Sequence, residues 1–283
     1  MSTTSRKKSK LTLGLFLSYV LLVIIAICCI YPALWVVLAS FRPGAALYSP
    51  TLIPKSLTLD HYHELLTSTR FKFTTWYWNT LKIATLTMVF STILTTLSGY
   101  SLSRFRFRSR KTIMTGVLIL SMFPTFMSLT AFYVLLLQLK LFDNIYALVA
   151  IYSAAGLLQA FVVKGFFDTI PRSLEESARI DGASNLQIFA RIMLPLSKPM
   201  LTYVALMSFT GAWVDFILAK VVLRSKDHWS VAVGLFDLVD KEQNSNFALF
   251  ATGSVLIALP ITILFVFLQR FLVDGLTAGA SKG

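Results

Sequence analysis

The chain of 283 residues is 56% hydrophobic and only 14% charged, with a mean hydropathy of +0.71, whereas a soluble domain carries about a quarter charged residues. That composition excludes a water-soluble globular fold and makes the lipid bilayer the surrounding medium. The formal charge of +13 does not mark a nucleic-acid binder, because Lys and Arg fall in short links between apolar runs and not along one aromatic-interleaved face.

Runs of about 18 or more apolar residues are long enough to cross a bilayer as helices, and six stretches qualify. Residues 11–41 contain no charged side chain. The run follows Arg6-Lys7-Lys8 but is too long for a signal-peptide core and lacks a small-x-small cleavage site, so it reads as a retained first span. Cys28 and Cys29 are neighbours inside it, about 100° apart on a helix, and pair neither as a disulfide nor as metal ligands. The second span, 83–103, is rich in hydroxyls: Thr85, Thr87, Ser91, Thr92, Thr95, Thr96 and Ser98 are expected to face other helices or a wet cavity, since small polar side chains allow close approach. The third span lies in 112–139 with Pro124 as a kink, and the fourth is 144–163. The fifth runs from about 199 to 222 and carries Asp215 and Lys220; the sixth lies in 245–269 with Pro260 as a second kink.

Counting Lys and Arg orients the chain. With the N-terminus inside, the links 1–10, 104–111, 164–198 and 270–283 hold 16 basic residues against 8 in the outer links. The cluster Arg104-Phe105-Arg106-Phe107-Arg108 sharpens that bias, so both termini are expected in the cytoplasm. The expected organisation is an N-terminal tail over 1–10, a transmembrane domain over 11–271, and a C-terminal tail over 272–283.

The outer links hold few chemical signals. His61, His63 and Glu64 are too few for a metal site and are expected to be solvated. Residues 224–246 form a third outer link with Trp229, Asp237, Asp240, Lys241 and Glu242. Asp215 is the one acidic residue within a span, which makes it and the nearby Trp213 candidates for a substrate pathway. Its place near the outer end of the span, close to Lys220 and level with Lys82, equally fits an interfacial or salt-bridged carboxylate. No G-x-x-x-x-G-K-[ST] phosphate loop and no H-E-x-x-H pair occurs, so no catalytic constellation is present.

The inner link 164–198 reads as structure. Pro171 suits a helix start, where its missing N–H is harmless, and 171–181 spaces Arg172 with Glu176 and Glu175 with Arg179 at i,i+4. Gly182 fits a left-handed helix terminus, and Ser184 with Gln187 forms a capping-box pattern opening a second helix. That helix is expected to run through Ile192-Met193-Leu194 and stop at Pro195.

These residues resemble a known family. Glu176-Ser177-Ala178, then Gly182, then Ile192-x-Leu194-Pro195 at fixed spacing is similar to the Glu-Ala-Ala loop of binding-protein-dependent ABC importer permeases, departing only at Ser177. Tyr100-Ser101-Leu102-Ser103-Arg104-Phe105 resembles another segment of that family. Phe167, Ile170-Pro171, Asp181-Gly182-Ala183-Ser184 and Gly211-Ala212-Trp213 with Asp215-Phe216 are similar to its carbohydrate class, Asp215 standing where asparagine is usual. The ending 271–279 is similar to that of maltose/maltodextrin permeases.

The resemblance implies an all-α membrane protein with six transmembrane helices and a cytoplasmic coupling loop, multi-pass in a plasma or inner membrane. It implies a second, different permease, a homodimeric cytoplasmic ATPase and an extracytoplasmic solute-binding protein as partners, and a sugar such as maltodextrin as cargo. The chain itself would be no enzyme and hold no cofactor, with ATP bound by the partner ATPase. Glu175, Glu176, Ser177, Ala178, Arg179, Asp181, Gly182, Ile192, Leu194 and Pro195 would couple to that ATPase, and Gly275, Leu276 and Thr277 would reach it from the tail. The alternatives are the same importer class with another oligosaccharide or glycerol-phosphate as cargo, and an ion-coupled carrier. The carrier would require paired intramembrane carboxylates and an internal repeat, and neither is evident.

Overall fold

The computed structural model describes residues 13–45, 51, 53–124, 127–240 and 246–280, the side chains of 13 and 273–280 excepted. Among these the regular elements are all helical. In chain order they are α1 (Leu13–Ser40), α2 (Asp60–Thr67), α3 (Phe73–Arg104), α4 (Arg110–Ser121), α5 (Ser128–Leu139), α6 (Ile145–Ala155) and α7 (Ala160–Thr169). A 3-10 turn, Gly156–Gln159, joins the last two. There follow α8 (Ser173–Ile180), α9 (Asn185–Ile188), a π turn (Phe189–Met193), α10 (Leu194–Leu196), α11 (Lys198–Val214), α12 (Ile217–Val222), α13 (Val231–Asp237) and α14 (Phe247–Ala280). The N-terminal basic cluster and Lys241 and Glu242 lie outside the described residues.

Four helices among the described residues are long and apolar enough to cross a membrane: Gly14–Ser40, Phe73–Arg104, Ile145–Thr169 and Phe247–Leu272. The pair Asn185–Leu196 and Lys198–Val214 passes the same test of length and hydropathy only when taken together, and it is bent by 77° at the junction. The stretch expected as a third span is not one continuous helix. It is the two 12-residue helices α4 and α5, each rising about 18 Å against a hydrocarbon core of about 30 Å. Pro124 separates the two, since its ring and missing N–H break the ladder; the flanking Met122 and Phe123 are apolar, so hydropathy runs on across the break.

α3 is the axis of the bundle, packing along α11, α6 and α7. Of its hydroxyls, Thr87, Ser91, Thr95 and Thr96 are buried while Thr85 is exposed. Thr95 donates to the Gly156 carbonyl at 2.9 Å and Ser208 donates to Ser91 at 2.9 Å. The approach needs glycine: a Cβ on Gly156 would lie 2.1 Å from the Ser91 Oγ. α1 leans on α14 and leaves its apolar surface outward, as a lipid-facing helix does. Cys28 and Cys29 sit there as free, exposed thiols.

Two buried clusters mark the two ends of the bundle. The larger joins Phe73, Trp76, Leu148, Trp213, Trp229 and Val231, and the smaller joins Tyr100, Val163, Phe167, Ile188, Met193 and Val204. At the first end the links expected on the outer side meet. Lys72 pairs with Asp227, Trp76 donates to the Lys226 carbonyl at 2.7 Å, and Thr80 accepts from the Val231 N–H at 2.8 Å. Asp143, in the link before α6, accepts from the N–H groups of Arg224 and Ser225, both at 2.9 Å, and faces His228 at 3.1 Å. Burial pushes the Asp143 carboxyl up, but hydrogen bonds from Ser225, Arg224 and His228 outweigh it and hold it at about 2.

Candidate functional site

The helix pair after α7 is set by local turn chemistry. Glu175 and Glu176 stand in the first turn of α8 and Arg179 in its last, complementing the helix dipole. Gly182 then takes φ +84°. The Ala183 N–H donates to the Ala178 carbonyl at 2.9 Å and the Gly182 N–H to the Arg179 carbonyl at 3.0 Å, the two bonds of a Schellman terminus. Ser184 opens α9 with a reciprocal capping box: the Gln187 N–H donates to Ser184 Oγ at 3.3 Å, and Ser184 N–H to Gln187 Oε1 at 2.8 Å. The glycine turn and the cap thus match the spacing read from the sequence.

The stop at Pro195 does not. The chain widens into the π turn at 189–193, and Pro195 falls in the first turn of α10, where a missing N–H is tolerated. The break comes after Leu196, at the buried Ser197, with the 77° bend into α11. In this segment Met193 is fully buried, Ile192 and Leu194 are half-buried, and Pro195 is exposed.

α8 has two faces. Glu176, Ser177, Arg179, Ile180 and Asp181 are exposed, with Ile180 at 87%, and Leu186 on α9 stands out at 75%. Ala178 is half-buried against the smaller cluster, and Glu175 is buried at 3%. The expected surface pairing is therefore only partly made. Glu175 does reach Arg179, at 3.7 Å, but no ion pair among the described residues joins Arg172 to Glu176.

The main partner of Glu175 is Arg104, the last residue of α3, whose Nε contacts the carboxylate with both side chains 4% exposed. The guanidinium also donates through Nη2 to the Ile170 carbonyl at 2.9 Å and through Nη1 to Ser103 Oγ at 3.4 Å. Ser103 donates to Asp168 at 2.6 Å, and Lys164 pairs with the same carboxylate. Arg110 closes the corner by donating to the Leu102 carbonyl at 2.7 Å. Asp168 escaped the sequence reading, and Ser103 and Arg104 entered it only within a basic cluster and a family-like segment, with no partner assigned to either. A basic residue directly ending a long apolar helix was the available signal.

Asp215 sits at the break between α11 and α12. It accepts from the Ala219 N–H at 3.1 Å and the Leu218 N–H at 3.4 Å, and the Tyr152 hydroxyl donates to it. Lys220 is not its partner; that ammonium lies 4.7 Å over the Trp229 ring. The helix turns Lys220 away from the cap, so five residues of sequence separation do not bring the charges together. Asp215 and Tyr152 line a cavity of 430 Å³ whose wall includes Leu129, Phe132 and Ile217. Trp213 does not share it. Buried at 1%, its ring packs on Tyr77 at 5.1 Å and Phe209 at 6.0 Å.

His61 is a further correction: it is buried, and its Nε2 donates to the Arg42 carbonyl at 2.9 Å. The backbone of α14 stays helical to Ala280, but the side chains of Gly275, Leu276 and Thr277 lie outside the described residues.

Comparison with known proteins places this architecture. Residues 95–278 match the family model of the binding-protein-dependent transport system inner membrane component. The maltodextrin transport system permease protein MdxG of Bacillus subtilis (strain 168) is 44% identical, covering 100% of this chain and 99% of that protein. The galactooligosaccharides transport system permease protein GanQ of the same organism is 42% identical over 95% of this chain and 96% of its own length. The maltose/maltodextrin transport system permease protein MalG of Escherichia coli (strain K12) is 35% identical over 95% and 96%. Among solved structures, a chain of a bacterial ABC transporter that imports the acidic polysaccharide alginate superposes with a TM-score of 0.75 at 25% identity, over 95% of this chain and 99% of that one. Members of this family are the membrane permeases of ABC importers, and ATP hydrolysis is done by a separate subunit. The chain belongs to the binding-protein-dependent transport system inner membrane component family and is an ABC importer permease.

Proposed function

We propose that this chain pairs with a second, different permease around a central path in the plasma or inner membrane, above two copies of a cytoplasmic ATPase. A solute-binding protein delivers the cargo from outside, at the end where Asp143, Asp227 and the described part of the third link, 224–240, gather. The chain crosses the membrane six times with both termini in the cytoplasm, α4 and α5 together forming the third crossing. The excess of Lys and Arg in 104–111 and 164–198 supports that orientation.

The observation that carries the reading is the two-faced helix α8. One face is tied to the bundle, while Glu176, Ser177, Arg179, Ile180 and Asp181 stand exposed in front of a rigid glycine turn. An exposed isoleucine flanked by charges on a membrane protein's polar loop suits a protein partner, because an isolated apolar side chain gains most by entering a groove. ATP-driven closure of the ATPase dimer would swing α8 and α9, and the bundle would follow as alternating access. Ile192, Leu194 and Pro195 set the joint to α11, and the tail residues Gly275, Leu276 and Thr277 reach the ATPase as a lesser contact.

The cargo is a neutral oligosaccharide, with maltodextrin the first choice, since permeases named for it match this chain over its whole length. Asp215 and the Tyr152 oxygen offer acceptors to sugar hydroxyls beside the aromatic wall of Phe132, and Trp213, two residues before Asp215, is packed into the core outside that cavity. Uptake of labelled maltodextrin by cells lacking this gene tests the cargo. Uptake restored by the gene and competed by maltodextrins supports it; uptake unchanged by the deletion, with another oligosaccharide lost instead, overturns it.

A further inference from the structure

We propose that the buried Arg104–Glu175 pair is the latch that carries motion of α8 into α3, making both residues positioning residues of transport and not contacts to the ATPase. This rests on the reading of α8 as the ATPase-docking helix.

In this ion pair both side chains are almost wholly buried, at 4% each, whereas Lys72–Asp227, Lys164–Asp168 and Glu175–Arg179 each keep at least one side chain exposed. Charges removed from water persist only where a partner compensates them, and losing one partner leaves the other stranded. Such a pair is a poor way to gain stability and a good way to hold two elements in one register.

The geometry fits a latch. Arg104 ends α3, the helix that runs the height of the bundle against α6, α7 and α11. Its guanidinium grips the α7–α8 junction at the Ile170 carbonyl and the first turn of α8 at Glu175. One planar fork therefore fixes both the start and the first turn of α8, a task a lysine's single ammonium does not perform. A second clasp, Ser103 to Asp168 to Lys164, ties the end of α3 to α7 beside it. Tyr100, one turn before Arg104, packs on Phe167 at 5.5 Å and Phe189 at 4.8 Å, so α3 also touches the segment leading into α11. Displacement of α8 thus has a rigid, desolvated route into the central helix.

The test uses the assembled transporter in proteoliposomes, reading sugar transported per ATP hydrolysed alongside ATPase co-purification. Glu175→Gln and Arg104→Lys should each retain the ATPase and lower that ratio about tenfold and severalfold respectively. The exchange Arg104→Glu with Glu175→Arg, which keeps a buried pair, should recover most of it. Wild-type ratios in both single variants would overturn the latch. So would loss of the ATPase from each single variant and from the exchange alike, which would make the pair a matter of folding or direct contact. Absence of any ATPase from the wild-type preparation would instead refute the docking reading itself.

Discussion

Replacing Gly182 isolates the rigidity of the loop from every other property. Its φ of +84° is a conformation that L residues avoid, yet a Cβ built there meets nothing within 4 Å. Substitution therefore costs backbone strain alone, about 1–2 kcal/mol for an ordinary residue, less for asparagine, which enters the left-handed region more readily, and more for a β-branched one. If the backbone relaxes to escape the strain, the Ala183–Ala178 and Gly182–Arg179 bonds break, at about 1 kcal/mol each, and α8 loses its fixed angle to α9. A penalty of about 1.4 kcal/mol is tenfold in an equilibrium or a rate. Gly182→Asn should lower transport by about twofold, Gly182→Ala severalfold and Gly182→Val tenfold or more. All three should reach the membrane in wild-type amounts, since the site lies outside the bundle core. Uptake and ATP hydrolysis in proteoliposomes measure the series, with membrane abundance as control. Wild-type transport by Gly182→Val, or equal activity of the valine and asparagine variants, would refute the reasoning.

Three other expectations follow from specific contacts. Gly156→Ala drives a Cβ into Ser91 Oγ and should destabilise the bundle by about 1–3 kcal/mol; thermal unfolding in detergent should show the loss, and adding Ser91→Ala should recover part of it. In a background of Cys28→Ser and Cys29→Ser, Lys226→Cys should react with an impermeant maleimide in intact cells, and Glu176→Cys only after permeabilisation; the reverse pattern would invert the topology. The Asp143 carboxyl, lowered from 3.8 to about 2, stabilises the two links it joins above pH 3.8, and that contribution is lost as pH falls through 2. Asp143→Asn should weaken these links at neutral pH, and its difference from wild type should vanish near pH 2 in an acid-unfolding series.

Features whose cause is local were legible in the sequence. The Gly182 terminus and the Ser184–Gln187 cap depend on residues at most a few positions apart, so spacing alone identifies them. Long apolar runs likewise announced α1, α3 and α14. What spacing could not show was direction. Glu175 and Glu176 look alike as neighbours on a charged helix, yet one is buried and the other exposed, because Arg104 at the far end of α3 selects between them. Asp215 met the same limit. Its nearest cation in sequence is Lys220, but its partner is Tyr152 on another helix, and the vacated ammonium finds an aromatic face. The break between α4 and α5 was hidden for a different reason: hydropathy records what a residue dissolves in, and Met122 and Phe123 are as apolar as the helices they separate.

An ABC importer permease is expected to work as one subunit of an ATP-driven assembly. Affinity purification of the tagged chain from its native membrane, with mass spectrometry of what accompanies it, tests that most directly. A second permease of different sequence should come with it, together with an ATPase carrying a phosphate-binding loop, the latter in two copies per copy of this chain. Recovery of the chain alone, or only with further copies of itself, would contradict it.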